Sequence, residues 1–67
     1  MITIFVNEER VEIEELTNIT KLLQQINSAI DGIAIAINND IVPKGEWTTQ
    51  QFNNNDNVLI IKASQGG

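Results

Sequence analysis

Cysteine and histidine are both absent from this 67-residue chain. Thiolate nucleophiles, imidazole bases and the usual zinc and iron ligand sets are therefore excluded. Disulfides are excluded too, so a domain near the lower size limit for independent folding has to rely on its apolar core. A chain without cysteine fits a reducing cytosol, and the cytoplasm is the expected location. Basic residues are scarce, four against nine acidic ones, for a formal charge of −5. A nucleic-acid binder needs a cationic face for phosphates, so no nucleic-acid partner is expected, whereas a basic protein partner is compatible. No apolar run is long enough for a bilayer and no basic-apolar leader opens the chain, so no membrane association is expected.

The segments that are present have clear periods. Ile2-Thr3-Ile4-Phe5-Val6 and Arg10-Val11-Glu12-Ile13-Glu14 read as strands joined by the turn Asn7-Glu8-Glu9, an antiparallel hairpin. Val11 and Ile13 point inward, and the acidic crowd of Glu8, Glu9, Glu12, Glu14 and Glu15 is read as a solvated strand face rather than a docking site. The period then changes. Ile19, Leu22, Leu23 and Ile26 fall on one stripe of an amphipathic helix, with Thr17 or Asn18 as N-cap and Asp31-Gly32 closing the excursion after a frayed stretch. Ile33-Ala34-Ile35-Ala36-Ile37 returns to a strand, with its isoleucines expected under the helix and its alanines on the open face. Asn38-Asn39-Asp40 turns into the short strand Ile41-Val42, which Pro43 stops because proline has no N–H to donate. Trp47, the one tryptophan, follows a tight turn and is read as a core anchor. A polar loop, Asn53-Asn54-Asn55-Asp56, precedes the last strand, Val58-Leu59-Ile60-Ile61-Lys62. This order predicts one α+β domain of two layers over residues 1–63, a helix lying across one face of a four- to five-stranded mixed sheet.

Residues 64–67, Ser64-Gln65-Gly66-Gly67, have no apolar anchor and read as a flexible tail. Two glycines without Cβ atoms accept almost any backbone angles, so such a tail can thread a narrow channel into another protein's active site. A terminal carboxylate on Gly67 is then the most reactive group to consider; it titrates at roughly 3.5 and is ionised at neutral pH. It is inert toward nucleophiles until its oxygen is made a leaving group.

The element order with a terminal Gly-Gly resembles the ubiquitin-like β-grasp fold. The stretch Ala34-Ile35-Ala36-Ile37-Asn38-Asn39-Asp40-Ile41-Val42-Pro43-Lys44-Gly45-Glu46-Trp47 is similar to the pattern of the ThiS-type sulfur carriers of thiamin thiazole synthesis, and Asp56, the aliphatic strand after it and Gly66-Gly67 extend the likeness over essentially the whole chain. Asn55 stands where that family usually has glycine, and Asn tolerates left-handed angles well enough for the turn to form. Gln65 stands where a small residue is common. The resemblance implies a non-catalytic carrier, with no bound cofactor, worked on in trans. A ThiF-type adenylyltransferase uses ATP and Mg²⁺ to convert the Gly67 carboxylate into an acyl-adenylate. A persulfide sulfur from a cysteine desulfurase displaces AMP to leave a thiocarboxylate, and a ThiG-type thiazole synthase takes that sulfur.

Neighbouring readings share this machinery. The small molybdopterin-synthase subunit type delivers the same thiocarboxylate to a pterin, and a ubiquitin-like modifier joins the same tail to lysines. Pro43-Lys44-Gly45-Glu46-Trp47 and the short length favour the thiazole branch. A self-contained enzyme is disfavoured, since Glu12 and Glu14 share a face but have no nucleophile or oxyanion donor beside them. One surface expectation remains. Phe5 in the first strand and Leu59 and Ile61 in the last break the hydrophobic-in, polar-out pattern. On parallel neighbouring strands they would converge, beside Ala34 and Ala36, on the face the helix leaves uncovered, as a docking surface for the adenylyltransferase and the synthase.

Overall fold

Two tight hairpins frame the molecule, which we describe from a computed structural model over residues 1–62. Ile2–Val6 (β1) and Glu9–Ile13 (β2) pair antiparallel with Val6 opposite Glu9, so the turn holds only Asn7 and Glu8. Both residues have positive φ, 48° and 73°, the signature of a type I′ turn, whose twist matches that of the flanking strands. Ile33–Ile37 (β3) and Asp40–Val42 (β4) repeat the device with Asn38 and Asn39 at φ 50° and 74°. The sequence reading placed a third residue in each turn, Glu9 and Asp40; each instead opens the returning strand. A two-residue turn keeps the two sides in phase, with Ile4 opposite Val11 toward the helix and Phe5 opposite Arg10 away from it.

The helix is short, Ile19–Gln25 (α1). Asn18 is the N-cap, its Oδ1 accepting the Lys21 N–H at 2.8 Å. Its end comes earlier than the Asp31-Gly32 pair suggested. Asn27, at φ 58°, turns the chain out of the helix; its N–H donates to the Gln24 carbonyl and the Ser28 N–H to that of Leu23. That is a Schellman closure with asparagine in the position glycine usually fills. The amide of Gln25 donates to the Glu12 carbonyl at 3.0 Å and pins the helix over β2.

Asn57–Lys62 (β5) enters last and lies centrally, parallel to β1 and antiparallel to β3, so the order across the sheet is β2-β1-β5-β3-β4. The sheet is mixed and five-stranded, with the single helix on one face, as the β-grasp resemblance implies. Ile19, Leu22 and Leu23 of α1 meet Ile4, Val6, Ile13, Ile35 and Val58 in one core, closed at the side by Trp47 and Phe52. The alternation expected for β3 holds, with Ile35 fully buried beneath the helix. The open face is less bare than expected at Ala36. It is only 5% exposed, because Leu59 and Ile41 flank it in the same lateral row.

Candidate functional site

The face of the sheet opposite the helix is built by strand alternation. It presents Phe5 from β1, Leu59 and Ile61 from β5, Ala34 and Ala36 from β3 and Ile41 from β4. Leu59 is 48% exposed, Ile61 42% and Ile41 63%, while Phe5 is half-buried. Register decides which of these meet. Leu59, Ala36 and Ile41 form one row across β5, β3 and β4, and Ile61 lies beside Ala34 in the next. Phe5 sits opposite Asn57 at the start of β5, so it approaches Leu59 diagonally and stands about 13 Å along the strand from Ile61. Phe5 and Leu59 line a shared shallow cavity of about 340 Å³ that Ile61 does not reach. The three expected residues therefore occupy one face as an elongated strip rather than a tight cluster. Ile41, the most exposed of the strip, was missed in the sequence; once Ile41-Val42 is paired with β3, alternation alone assigns it there.

The frame behind this face is held by asparagine side chains, which sequence reasoning read only as turn formers. Asn7 Oδ1 accepts the Ile60 N–H at 2.8 Å and its Nδ2 donates to the Ile60 carbonyl at 3.4 Å. The amide thus stands in for the strand neighbour that β5 lacks once β1 has turned away. Asn38 Oδ1 accepts the Asn57 N–H at 3.0 Å, and its Nδ2 donates to Asp56 Oδ1 at 2.9 Å. The other carboxylate oxygen of Asp56, a buried residue, accepts the Asn53 N–H at 2.8 Å. Asn54 and Asn55 continue the pairing on the other side: Asn54 Oδ1 accepts the Thr3 N–H and the Asn55 N–H donates to the Thr3 carbonyl. The start and middle of β5, and the loop that leads into it, are thereby fixed to the hairpins beside them.

Trp47 follows a single 3₁₀ turn, Lys44–Glu46, and is buried with its Nε1–H donating to the Val42 carbonyl at 3.1 Å, the anchor expected of it. Lys44 Nζ stands 5.7 Å from the centre of the indole ring and donates to Asp31 Oδ1 at 2.8 Å. That hydrogen bond and the lysine charge hold the Asp31 carboxyl below its usual range. Both partners are largely exposed, so the pair ties the loop before β3 to the 3₁₀ turn without much energy. Ser64, Gln65, Gly66 and Gly67, the expected tail and modification site, lie outside the described residues. Among the described residues, no three His, Cys, Asp or Glu side chains come together as a metal site, and no helix is long and apolar enough to cross a membrane.

The ThiS family model matches residues 2–67. The chain belongs to the ThiS family. Among curated ThiS proteins, the sulfur carrier protein ThiS of Escherichia coli (strain K12) is 28% identical over 64 residues, covering 96% of this chain and 97% of the relative. The crystal structure of the thiamine biosynthesis protein ThiS from Geobacter metallireducens superposes with a TM-score of 0.84 at 19% identity, over 98% of this chain and 100% of that one. A solution structure of a thiamine biosynthesis protein from the same organism gives a TM-score of 0.72 at 17% identity, over 98% and 88% of the two chains. At those identities the two structures speak for the fold, and it is the β-grasp arrangement described above.

Proposed function

We propose that this protein is the sulfur carrier of thiazole formation in thiamin synthesis, a co-substrate rather than a catalyst, with the Gly67 carboxylate as its working group. The observation that carries the reading is the extent of the family match, which runs from residue 2 to residue 67 and so includes Gly66 and Gly67. In the proposed cycle a Gly67 carboxylate oxygen attacks the α-phosphate of ATP in a ThiF-type adenylyltransferase, where Mg²⁺ neutralises the phosphates, and pyrophosphate leaves. The terminal sulfur of a persulfide, charged by a cysteine desulfurase, attacks the acyl carbon and AMP departs. A thiol reduces the resulting acyl disulfide to the thiocarboxylate, which a ThiG-type thiazole synthase consumes. The carrier supplies a handle and a tether, and every catalytic group comes from its partners in the cytoplasm. Having no cysteine, it offers no internal thiol to intercept its own activated terminus.

The handle in this reading is the open face, with Phe5, Leu59 and Ile61 as the surface both partners grip. Exposed apolar strips of this kind mark interaction sites more often than scattered leucines do. Leu59→Arg is expected to abolish measurable binding to the adenylyltransferase and leave the thermal midpoint within a degree or so, because Leu59 lies outside the core. Intact-mass spectrometry of the protein from its native host tests the chemistry: replacement of one oxygen by sulfur, localised to Gly67 by fragmentation, is the expected result. A lysate in which Gly67 is found only in isopeptide linkage to lysines would overturn it in favour of a modifier.

A further inference from the structure

The cavity at the Phe5 end of the open face has an unusual rim. Its base is apolar, formed by the half-buried Phe5 ring and by Leu59. Its walls are the two type I′ turns, and the second residue of each, Glu8 and Asn39, stands exposed on the edge together with Asn57. That second position is the one where glycine is least strained, yet here Glu8 is held at φ 73° and Asn39 at φ 74°. Asparagine takes this conformation at reduced cost, so the strain falls on Glu8, and strain at a residue that lines a cavity points to a use for its side chain. Two other asparagines of the rim are already engaged, Asn7 with the Ile60 backbone and Asn38 with Asn57 N–H and Asp56. Glu8, an acceptor-only group, is not neutralised: among the described residues the one ion pair is Lys44–Asp31. Arg10, which faces Phe5 across the hairpin, makes no such pair and does not line the cavity.

An occupant must therefore bring an apolar or planar stem for Phe5 and Leu59 and a cationic head rich in donors for Glu8, Asn39 and Asn57. We propose that the cavity receives an arginine side chain of the protein that docks on the open face, its guanidinium laid against Phe5 and hydrogen-bonded to the Glu8 carboxylate and to the side-chain carbonyls of Asn39 and Asn57. A guanidinium is planar, presents its donors as a fork and carries no acceptor, so it satisfies this rim better than the point charge of lysine. The overall charge of −5 draws such a basic partner in. The proposal rests on the docking reading above and adds to it the residue type that anchors one end of the strip.

The test is calorimetric titration of the full-length carrier with its adenylyltransferase, comparing wild type, Glu8→Gln, Glu8→Gly, Glu14→Gln and Leu59→Arg. Glu8→Gln, which keeps the shape and removes the charge, is expected to weaken binding about tenfold or more. Its salt dependence should also flatten. Glu8→Gly is expected to weaken binding as much while raising the thermal midpoint, because it relieves the left-handed strain; a structural role for Glu8 would not produce that opposition. Glu14→Gln, an exposed carboxylate away from the cavity, should bind as wild type. Replacing interface arginines of the adenylyltransferase by lysine one at a time should identify a single position whose loss is no longer felt in Glu8→Gln. Wild-type affinity in both Glu8 variants, with Leu59→Arg still defective, would overturn the arginine socket and leave the docking face standing. Full affinity in Leu59→Arg would overturn the docking face itself.

Discussion

Asparagine does for this small sheet what glycine does for many others. Of the six described non-glycine residues with positive φ, five are asparagines (Asn7, Asn27, Asn38, Asn39 and Asn55) and the sixth is Glu8. A left-handed conformation costs an ordinary L-residue about 1–2 kcal/mol, and asparagine suffers less because its short amide hydrogen-bonds locally. At Asn7 and Asn38 the same side chain then bonds to β5, so one residue both turns the chain and joins two strands. Asn55, at φ 71°, holds a left-handed angle that glycine adopts without strain, and its N–H reaches the Thr3 carbonyl. Asn55→Gly should therefore be nearly neutral, whereas Asn55→Ala should lose about 1 kcal/mol in urea denaturation. Equal losses for the two substitutions would mean that the amide, and not the backbone angle, matters there.

At the scale of elements, α1 cannot stand alone. Seven residues are too few for a stable helix in water, so its order comes from the stripe it buries and from the cap at Asn18. Leu22 is completely buried in that stripe, and Lys21, one residue before it, faces solvent. Leu22→Ala is expected to cost about 2–5 kcal/mol, a large share of the stability of so small a domain. Lys21→Ala should be close to silent, and its N–H still caps on Asn18 because that bond uses the backbone. Trp47, buried and unique, reports both unfolding transitions by fluorescence. Most of this layer was legible in the chain: period two against period 3.6 separates strand from helix without any tertiary knowledge. The boundaries were less so. The helix ended at Gln25 because two backbone hydrogen bonds from Asn27 and Ser28 close it there, and the hairpins turned in two residues rather than three because type I′ geometry keeps the faces in register.

For the molecule as a whole, the central apolar cluster among the described residues runs from Ile4 to Val58, and the proposed working end is residues 64–67, which carry no large apolar side chain in the sequence. Deleting those residues is expected to leave the thermal midpoint unchanged and to abolish pyrophosphate exchange by the adenylyltransferase; a large loss of midpoint would place part of the folding energy in the tail. The sequence by itself determined the elements, the faces and the family, because each is written in local periods and in residue types at fixed spacing, from the Ala34–Trp47 pattern to Gly66-Gly67. Tertiary structure alone decided how those faces meet. Only the pairing of β5 between β1 and β3 sets Phe5 against Leu59 and away from Ile61, buries Ala36 between Leu59 and Ile41, and brings the Asn7-Glu8 and Asn38-Asn39 turns around one cavity. Most of those contacts join residues far apart in the chain, Phe5 and Leu59 by more than about fifty positions, and a sliding register of one or two residues would leave every local pattern intact while moving all of them.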